Sequence, residues 1–304
     1  MRARTLVSAV MALTFLSGCG TQPRTAVEIS SSDVVSSSVK TAAPSQYVKV
    51  VALANGSAEI IDSLGLKQIL VGRDIASTDE SLASVPIVTS GHQVIAEKII
   101  ALAPDLVLID SSVGPLQALT AIRKAGIRVE SINEVWTVAA IASKVHQIAE
   151  ILGVATAGDL LAGEINKSIA AASAQVINKP RVAFLYLRGG NSIYLLGGKG
   201  SGADSILESL GAIDVGAVAG SRPFSALTSE SLIGKKPEII LVMSKGLESV
   251  GGVDGLVKLP GIAQTPAGKS HRVIAVDDSL LLSFGPRTPS MLSKLADALN
   301  EVRK

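Results

Sequence analysis

R-V-A-F-L-Y-L-R-G-G-N-S-I-Y-L-L-G-G-K-G-S-G-A-D, from Arg181 to Asp204, is the stretch that decides how this chain folds. The apolar run Val182 to Tyr186 leads into Arg188 and two glycines. A second apolar run, Ile193 to Leu196, follows, and further glycines precede a helix-like segment. This is the grammar of strand, turn, strand, loop and helix. In an extended strand, residues two apart point to the same side, so Tyr186 and Arg188 share one opening where the strand leaves its sheet.

A phenolate is a hard oxygen donor suited to Fe(III), and tyrosine is one of the axial ligands used for haem iron. The free phenol ionises near pH 10, so a metal and a neighbouring cation must favour the charged form at neutral pH. Arg188 is such a cation. The spacing alone also describes a strand tyrosine beside a solvated arginine, and the remainder of the chain has to separate the two readings.

Working outward, the helix-like end of the stretch has a counterpart upstream. Gly202 to Gly211, G-A-D-S-I-L-E-S-L-G, matches Gly56 to Gly65, G-S-A-E-I-I-D-S-L-G, at both glycines, Ile60 with Ile206, Ser63 with Ser209 and Leu64 with Leu210. Glu97 and Pro104 before the run Leu106 to Ile109 are spaced like Glu230 and Pro237 before Ile239 to Val242. Two related units in tandem explain both matches. Alternating strands and helices in each call for a largely parallel sheet covered on both faces. Between the units, Val138, Ile141, Val145, Ile148 and Leu152 recur at helical spacing until Gly153, and a second helical segment runs from about Ala157 to Val176. The expected fold is therefore α/β, two Rossmann-like lobes joined by a long helix, with a ligand groove between them.

The 304 residues are 47% hydrophobic, enough for buried cores, and only 3% aromatic. Arg2 and Arg4 ahead of the apolar run Leu6 to Phe15 read as a signal peptide. Leu16-Ser17-Gly18-Cys19 then resembles a bacterial lipobox, which implies cleavage before Cys19, the single cysteine, and a lipid on its sulfur. Loss of Arg2 and Arg4 takes the formal charge from +2 to +2 − 2 = 0, and with no basic run this gives no support to nucleic-acid binding. The expected divisions are a leader at 1–18, a lipidated flexible tether rich in Ser and Thr at 19–45, a first lobe at 46–133, a helical linker at 134–179 and a second lobe at 180–304. Tyr47 reads as belonging to the tether.

Taken together, the lipobox, duplicated lobes, helical linker and A-P-D-L-V-L phrase at Ala103 resemble the helix-linked substrate-binding proteins of ABC importers for haem, siderophores and cobalamin. Y-L-R-G-G at Tyr186, L-L-G-G-K-G-S-G-A-D to Asp204, V-M-S-K-G-L-E-S-V-G-G-V-D-G-L from Val242 and S-F-G-P-R-T-P from Ser283 are similar to the haem-uptake, HmuT-type branch. That resemblance implies one ferric haem b as transported ligand, held by Tyr186 and His92 as axial ligands with Arg188 hydrogen-bonded to the tyrosine. It also implies an ABC permease dimer with a cytoplasmic ATPase as partner, an extracytoplasmic place on the membrane through the N-terminal lipid, and surface haem-donor proteins upstream. A ferric siderophore or cobalamin is the alternative cargo.

His92, in T-S-G-H-Q, sits at a loop-helix boundary, where imidazole suits iron if the loop faces the groove and is otherwise an exposed loop histidine. His146 and His271 read as structural or solvated. Among the loop arginines Arg73, Arg222 and Arg287, Arg287 beside Phe284 is the preferred partner for a haem propionate. The resemblance places Glu59 and Asp204, acids at matched places in the duplicated helices, on the outer surface of each lobe as permease-docking residues; the helix dipole alone also favours acids there. No enzyme is expected: Gly198 to Gly202 fails the phosphate-loop and dinucleotide patterns, and no nucleophile elbow or His-Glu-x-x-His occurs.

Overall fold

Strand β1 (Val27–Ile29) is the first regular element of the computed structural model, which describes residues 25–39, 44–91, 93–173, 176–219 and 222–303. Strands β2 (Val50–Ala52) and β3 (Leu70–Arg73) follow, then a short pair, β4 (Thr89–Ser90) against β5 (Gln93–Val94), then β6 (Leu106–Ile109) and β7 (Arg128–Ser131). They build the first lobe around a parallel sheet in the order β3-β2-β6-β7. Every residue of Leu-Val-Leu-Ile in β6 is buried, as a strand covered on both faces requires. The covering helices are α1 (Ser57–Ser63), α2 (Ala96–Leu102) and α3 (Leu116–Lys124).

The linker is a helical hairpin. α4 (Ile141–Leu152) stops at Gly153, whose φ of 78° closes the helix with Val154 N–H donating to Ala149 O at 2.8 Å, and α5 (Ala155–Ser173) returns along it. Gly158 permits the close approach, because a Cβ there would lie 2.5 Å from the Ala149 methyl. Leu161 and Ile165 of α5 are fully buried, each contributing about 1.5–3 kcal/mol by leaving water.

The second lobe is built on β8 (Arg181–Arg188), β9 (Ile193–Gly197), helix α6 (Ala203–Ser209), β10 (Ile213–Asp214), β11 (Phe224–Ala226), β12 (Ile239–Met243) and β13 (Val273–Val276). The opening stretch thus forms the strand, turn, strand and helix its pattern calls for. The sheet runs β1-β13-β12-β8-β9-β11. One edge of β8 is shared: β10 pairs parallel at Arg181 and Val182, and β9 pairs antiparallel from Leu185 to Arg188. Val182, Phe184 and Tyr186 face an apolar core that also takes in β2, α1, α4, α5 and the C-terminal helix Thr288–Glu301. Ala183, Leu185 and Leu187 face a separate core on the far side. The lobes are therefore welded by one apolar mass.

Two expectations need correction. The segment assigned to a flexible tether contributes β1, in parallel register with β13 from Val27↔Ile274 to Ile29↔Val276. Ile29 is buried, and Ser37 N–H and Val39 N–H donate to Pro286 O and Ser63 O. Short as V-E-I is, it gains ladder hydrogen bonds on an otherwise open edge. Tyr47 belongs to the core that joins the lobes, with the Arg128 guanidinium 5.9 Å from its ring centre.

Candidate ligand groove

Opposite the weld, the lobes leave a groove of about 270 Å³. Leu53, Asn55, Ile75 and Trp136 line it from one side, and Asp278 and Leu282 from the other. Two polar contacts also cross between the lobes: Asn55 Nδ2 donates to Leu282 O at 3.0 Å, and Thr78 Oγ1 to Ser279 Oγ at 2.6 Å. Lys144 of α4 donates to Asn55 O at 3.1 Å and Ser283 O at 3.2 Å, tacking both lobes to the linker. Burial pulls that ammonium down to about 8, against the pull of Asp110 and Glu59 in the other direction.

Tyr186 is half-buried at the end of β8, its ring edge against Phe224 with centroids 5.7 Å apart. The Arg188 guanidinium lies over the same ring, 4.7 Å from its centre. Arg188 Nη2 is 3.6 Å from Asp278 Oδ2, and Asp278 Oδ1 accepts from Lys245 N–H at 3.0 Å. Asp278 lines the groove, so the Tyr186–Arg188 pair is coupled to the groove wall through it. The spacing of the opening stretch therefore brings phenol and guanidinium together, but as a stack on the ring face, and neither residue is among those that line the groove. Tyr194 stands opposite Leu187 in the ladder and packs on the far core, so the two hairpin tyrosines serve different faces.

His92 and Cys19 lie outside the described residues. Gly91 and Val94, which flank His92 in sequence, both line the groove. His146 sits 3.5 Å from Asp159 on the exposed side of the linker hairpin. Among the described residues no group of three or more His, Cys, Asp or Glu is placed to hold a metal ion, and no helix is long and apolar enough to cross a membrane.

Arg287 does not line the groove. Its side chain is 2% exposed, donates from Nε to Glu59 Oε2 at 3.1 Å and from Nη2 to Glu59 Oε1, and stands 3.9 Å from Asp79. This corrects two expectations together, since Glu59, also 2% exposed, is enclosed rather than displayed on the outer surface. Burial pushes the Glu59 carboxyl up, and Arg287 offsets it. Two charges enclosed in a core must find each other, which is why the loop arginine turned inward. Arg73 does the same, donating to Leu82 O, Val85 O and Ser77 O. Asp204 keeps a partly open position at the start of α6, where its carboxylate accepts from Gly200 and Gly202 N–H at 2.7 and 3.0 Å.

Asn55, Trp136 and Asp278 escaped sequence reasoning. Trp136 is the single tryptophan of an aromatic-poor chain, 42% exposed, edge-on to Phe284 at 6.4 Å; its rarity was the available signal. Asp278 carried none, because its contact with Arg188 depends on how the chain leaving β13 reaches past β12 to the end of β8.

With that geometry in place, comparison with known proteins is informative. The periplasmic binding protein family matches residues 50–280. The chain belongs to that family. Among solved structures it is similar to the periplasmic heme-binding protein RhuT from Roseiflexus sp. RS-1 in apo form, with 37% identity, 84% of this chain and 99% of that one covered, and a TM-score of 0.78. It is also similar to the heme binding protein HmuT, with 31% identity, 92% and 99% coverage and a TM-score of 0.78. A sequence relative is the uncharacterized ABC transporter substrate-binding lipoprotein YvrC of Bacillus subtilis (strain 168), 26% identical over 83% of this chain and 79% of its own length.

Proposed function

We propose that this family member is the extracytoplasmic haem-binding component of an ABC importer, anchored through Cys19, holding ferric haem b between its lobes for delivery to a permease dimer driven by a cytoplasmic ATPase. Supporting this reading is one observation above the others: Tyr186, under the Arg188 guanidinium, stands on the core face of β8 and is tied to the groove wall through Asp278. The similar structures described as heme-binding supply the cargo. In this reading Tyr186 and His92 are the axial ligands of the cargo iron. Arg188 holds the Tyr186 ring in place from its face. Leu53, Val94, Trp136 and Leu282 supply apolar walls for a flat macrocycle. A groove of about 270 Å³ is small for so large a ligand, so the contacts Thr78–Ser279 and Asn55–Leu282 would open on loading.

The test is a hemin titration of the purified protein, with a ferrichrome-type siderophore and cobalamin as controls. Tyr186→Ala is expected to lose haem to apomyoglobin at least about tenfold faster than the parent, the equivalent of roughly 1.4 kcal/mol. His92→Ala is expected to keep a coloured complex with a changed spectrum. Tyr194→Ala should behave as the parent. A chain that ignores hemin but binds a control rejects haem as cargo, and an inert Tyr186 with an essential Tyr194 rejects the ligand assignment.

A further inference from the structure

The parallel strands β1, β8, β12 and β13 all start at one end of the second lobe, and the groove lies at the other, where Asp278 follows β13. The starts are level: Glu238 N–H donates to Arg181 O at 2.8 Å, and Ile240 N–H to Arg272 O at 2.9 Å. The entry to each of three strands carries two cations: Lys179 and Arg181 at β8, Lys235 and Lys236 before β12, Lys269 and Arg272 before β13. The sheet thereby gathers them on one face. Lys179, Lys236 and Lys269 are exposed, and among the described residues none of the three is in an ion pair. Of the acids at this end, Glu238 is held by Arg303 at 3.7 Å and by Arg181 N–H at 3.4 Å, and Glu301 ends the C-terminal helix. Without Arg2 and Arg4 the chain has no formal excess of positive charge, so this face is a local concentration of it.

The N-terminal chain enters at the same face. Val27 pairs with Ile274, which puts Thr25 level with Arg272, and Cys19 is six residues ahead of Thr25. Six residues reach at most about 20 Å. Were the chain first held at Tyr47, the leash from Cys19 could extend to about 90 Å; the pairing of β1 with β13 is what keeps it short. We propose that this face docks on the anionic headgroups of the lipid bilayer, with Lys179, Lys236 and Lys269 as its contacts. Attraction of a lysine to such a surface strengthens binding about fivefold per residue and fades within about 8 Å in physiological salt. The leash makes that weak attraction effective by holding the face nearby. The groove, at the opposite ends of the same strands, then faces away from the bilayer, in a pose for loading. This orientation rests on the anchoring at Cys19 proposed above; the charge of the face does not.

The experiment couples the chain beginning at Cys19, its single cysteine, to a maleimide lipid in vesicles of phosphatidylcholine, or of phosphatidylcholine and phosphatidylglycerol in equal parts. Acetylation rates of individual lysines are then read by mass spectrometry. Lys179, Lys236 and Lys269 are expected to react severalfold more slowly on the anionic vesicles than on the neutral ones. Lys98 and Lys124 of the first lobe, both exposed, should react alike on the two. About 500 mM salt should abolish the difference by screening. Lys236→Gln with Lys269→Gln should return Lys179 to its rate on neutral vesicles, with hemin binding unchanged. Equal rates on both vesicles, slowing of all lysines alike, or protection of Lys179 that survives the double substitution overturns the docking face. Protection in a chain indifferent to hemin keeps the face and removes haem as cargo. Protection on vesicles by a chain that cells leave without lipid on Cys19 keeps the face and removes the leash.

Discussion

Helices α1 and α6 are built from nearly the same phrase and meet opposite fates. Each starts at a glycine with positive φ, Gly56 at 70° and Gly202 at 88°, and each start abuts the same segment. A Cβ on Gly56 would lie 3.1 Å from Ser283 O, and one on Gly202 would lie 3.1 Å from the Phe284 ring and Leu282. The duplicated helices thus flank Leu282 to Gly285. On one flank, Arg287 and Lys144 bring positive charge into the core, and Glu59 is enclosed against it. On the other flank Asp204 turns back to its own glycine loop beside an open depression. An acid in the first turn of a helix is a local habit; whether it becomes a structural ion or a surface one is set by its neighbours from other elements.

The sharpest way to break this contrast is to remove the two acids one at a time. Glu59→Ala leaves the Arg287 guanidinium buried, with Nη1 already lacking a partner, and should cost about 3–5 kcal/mol in urea unfolding. Asp204→Ala should cost no more than about 1 kcal/mol. Comparable losses for both would mean that Glu59 is not enclosed.

A second measurement sharpens the outer flank. The folded-state pKa of Asp214 is raised from 3.8 to about 6, so the native protein holds that proton more tightly than the unfolded chain does. Stability from this group is therefore full below about pH 4 and is lost as pH rises through about 6. Asp214→Asn should gain about 1–2 kcal/mol over the parent at pH 8, and the gain should vanish near pH 4. A difference that does not vary across this window would locate the Asp214 effect in packing.

How much of this was legible in the sequence follows from the range of each signal. The β8-β9 hairpin, α6, the two linker helices parted at Gly153 and the alternation of strands and helices rest on local periodicity and turn residues, and the residues carry them openly, whereas the packing of the two linker helices on each other, in place of one long connecting helix, does not show in their periodicity. So does the Tyr186–Arg188 pairing, because a two-residue step fixes a shared side. The fate of Glu59 and Arg287 was illegible. They are far apart in sequence, and each alone is an ordinary surface residue. β1 was hidden for a related reason: three residues have no periodicity to read, and only the open edge of β13 makes them a strand. Asp278 became part of the site through the same kind of long-range meeting with Arg188.

The smallest expected effect separates two roles of Asp204 itself. Its carboxylate accepts from Gly200 and Gly202 N–H, closing the loop onto the start of α6, and it also lines the depression. Asp204→Asn keeps one oxygen acceptor and the side-chain shape but loses the charge and one of the two acceptors. Stability should fall by only about 0.5–1 kcal/mol, the usual worth of an acid at a helix start. The charge facing the depression, however, falls by one, and electrostatic attraction of a cationic partner scales with that charge. Haem uptake by whole cells carrying Asp204→Asn should therefore slow severalfold if Asp204 meets a cationic permease surface, with hemin binding by the purified protein unchanged. If stability falls by several kcal/mol while uptake is untouched, Asp204 is a structural acid like Glu59, and the two flanks of the Leu282 to Gly285 segment are alike after all.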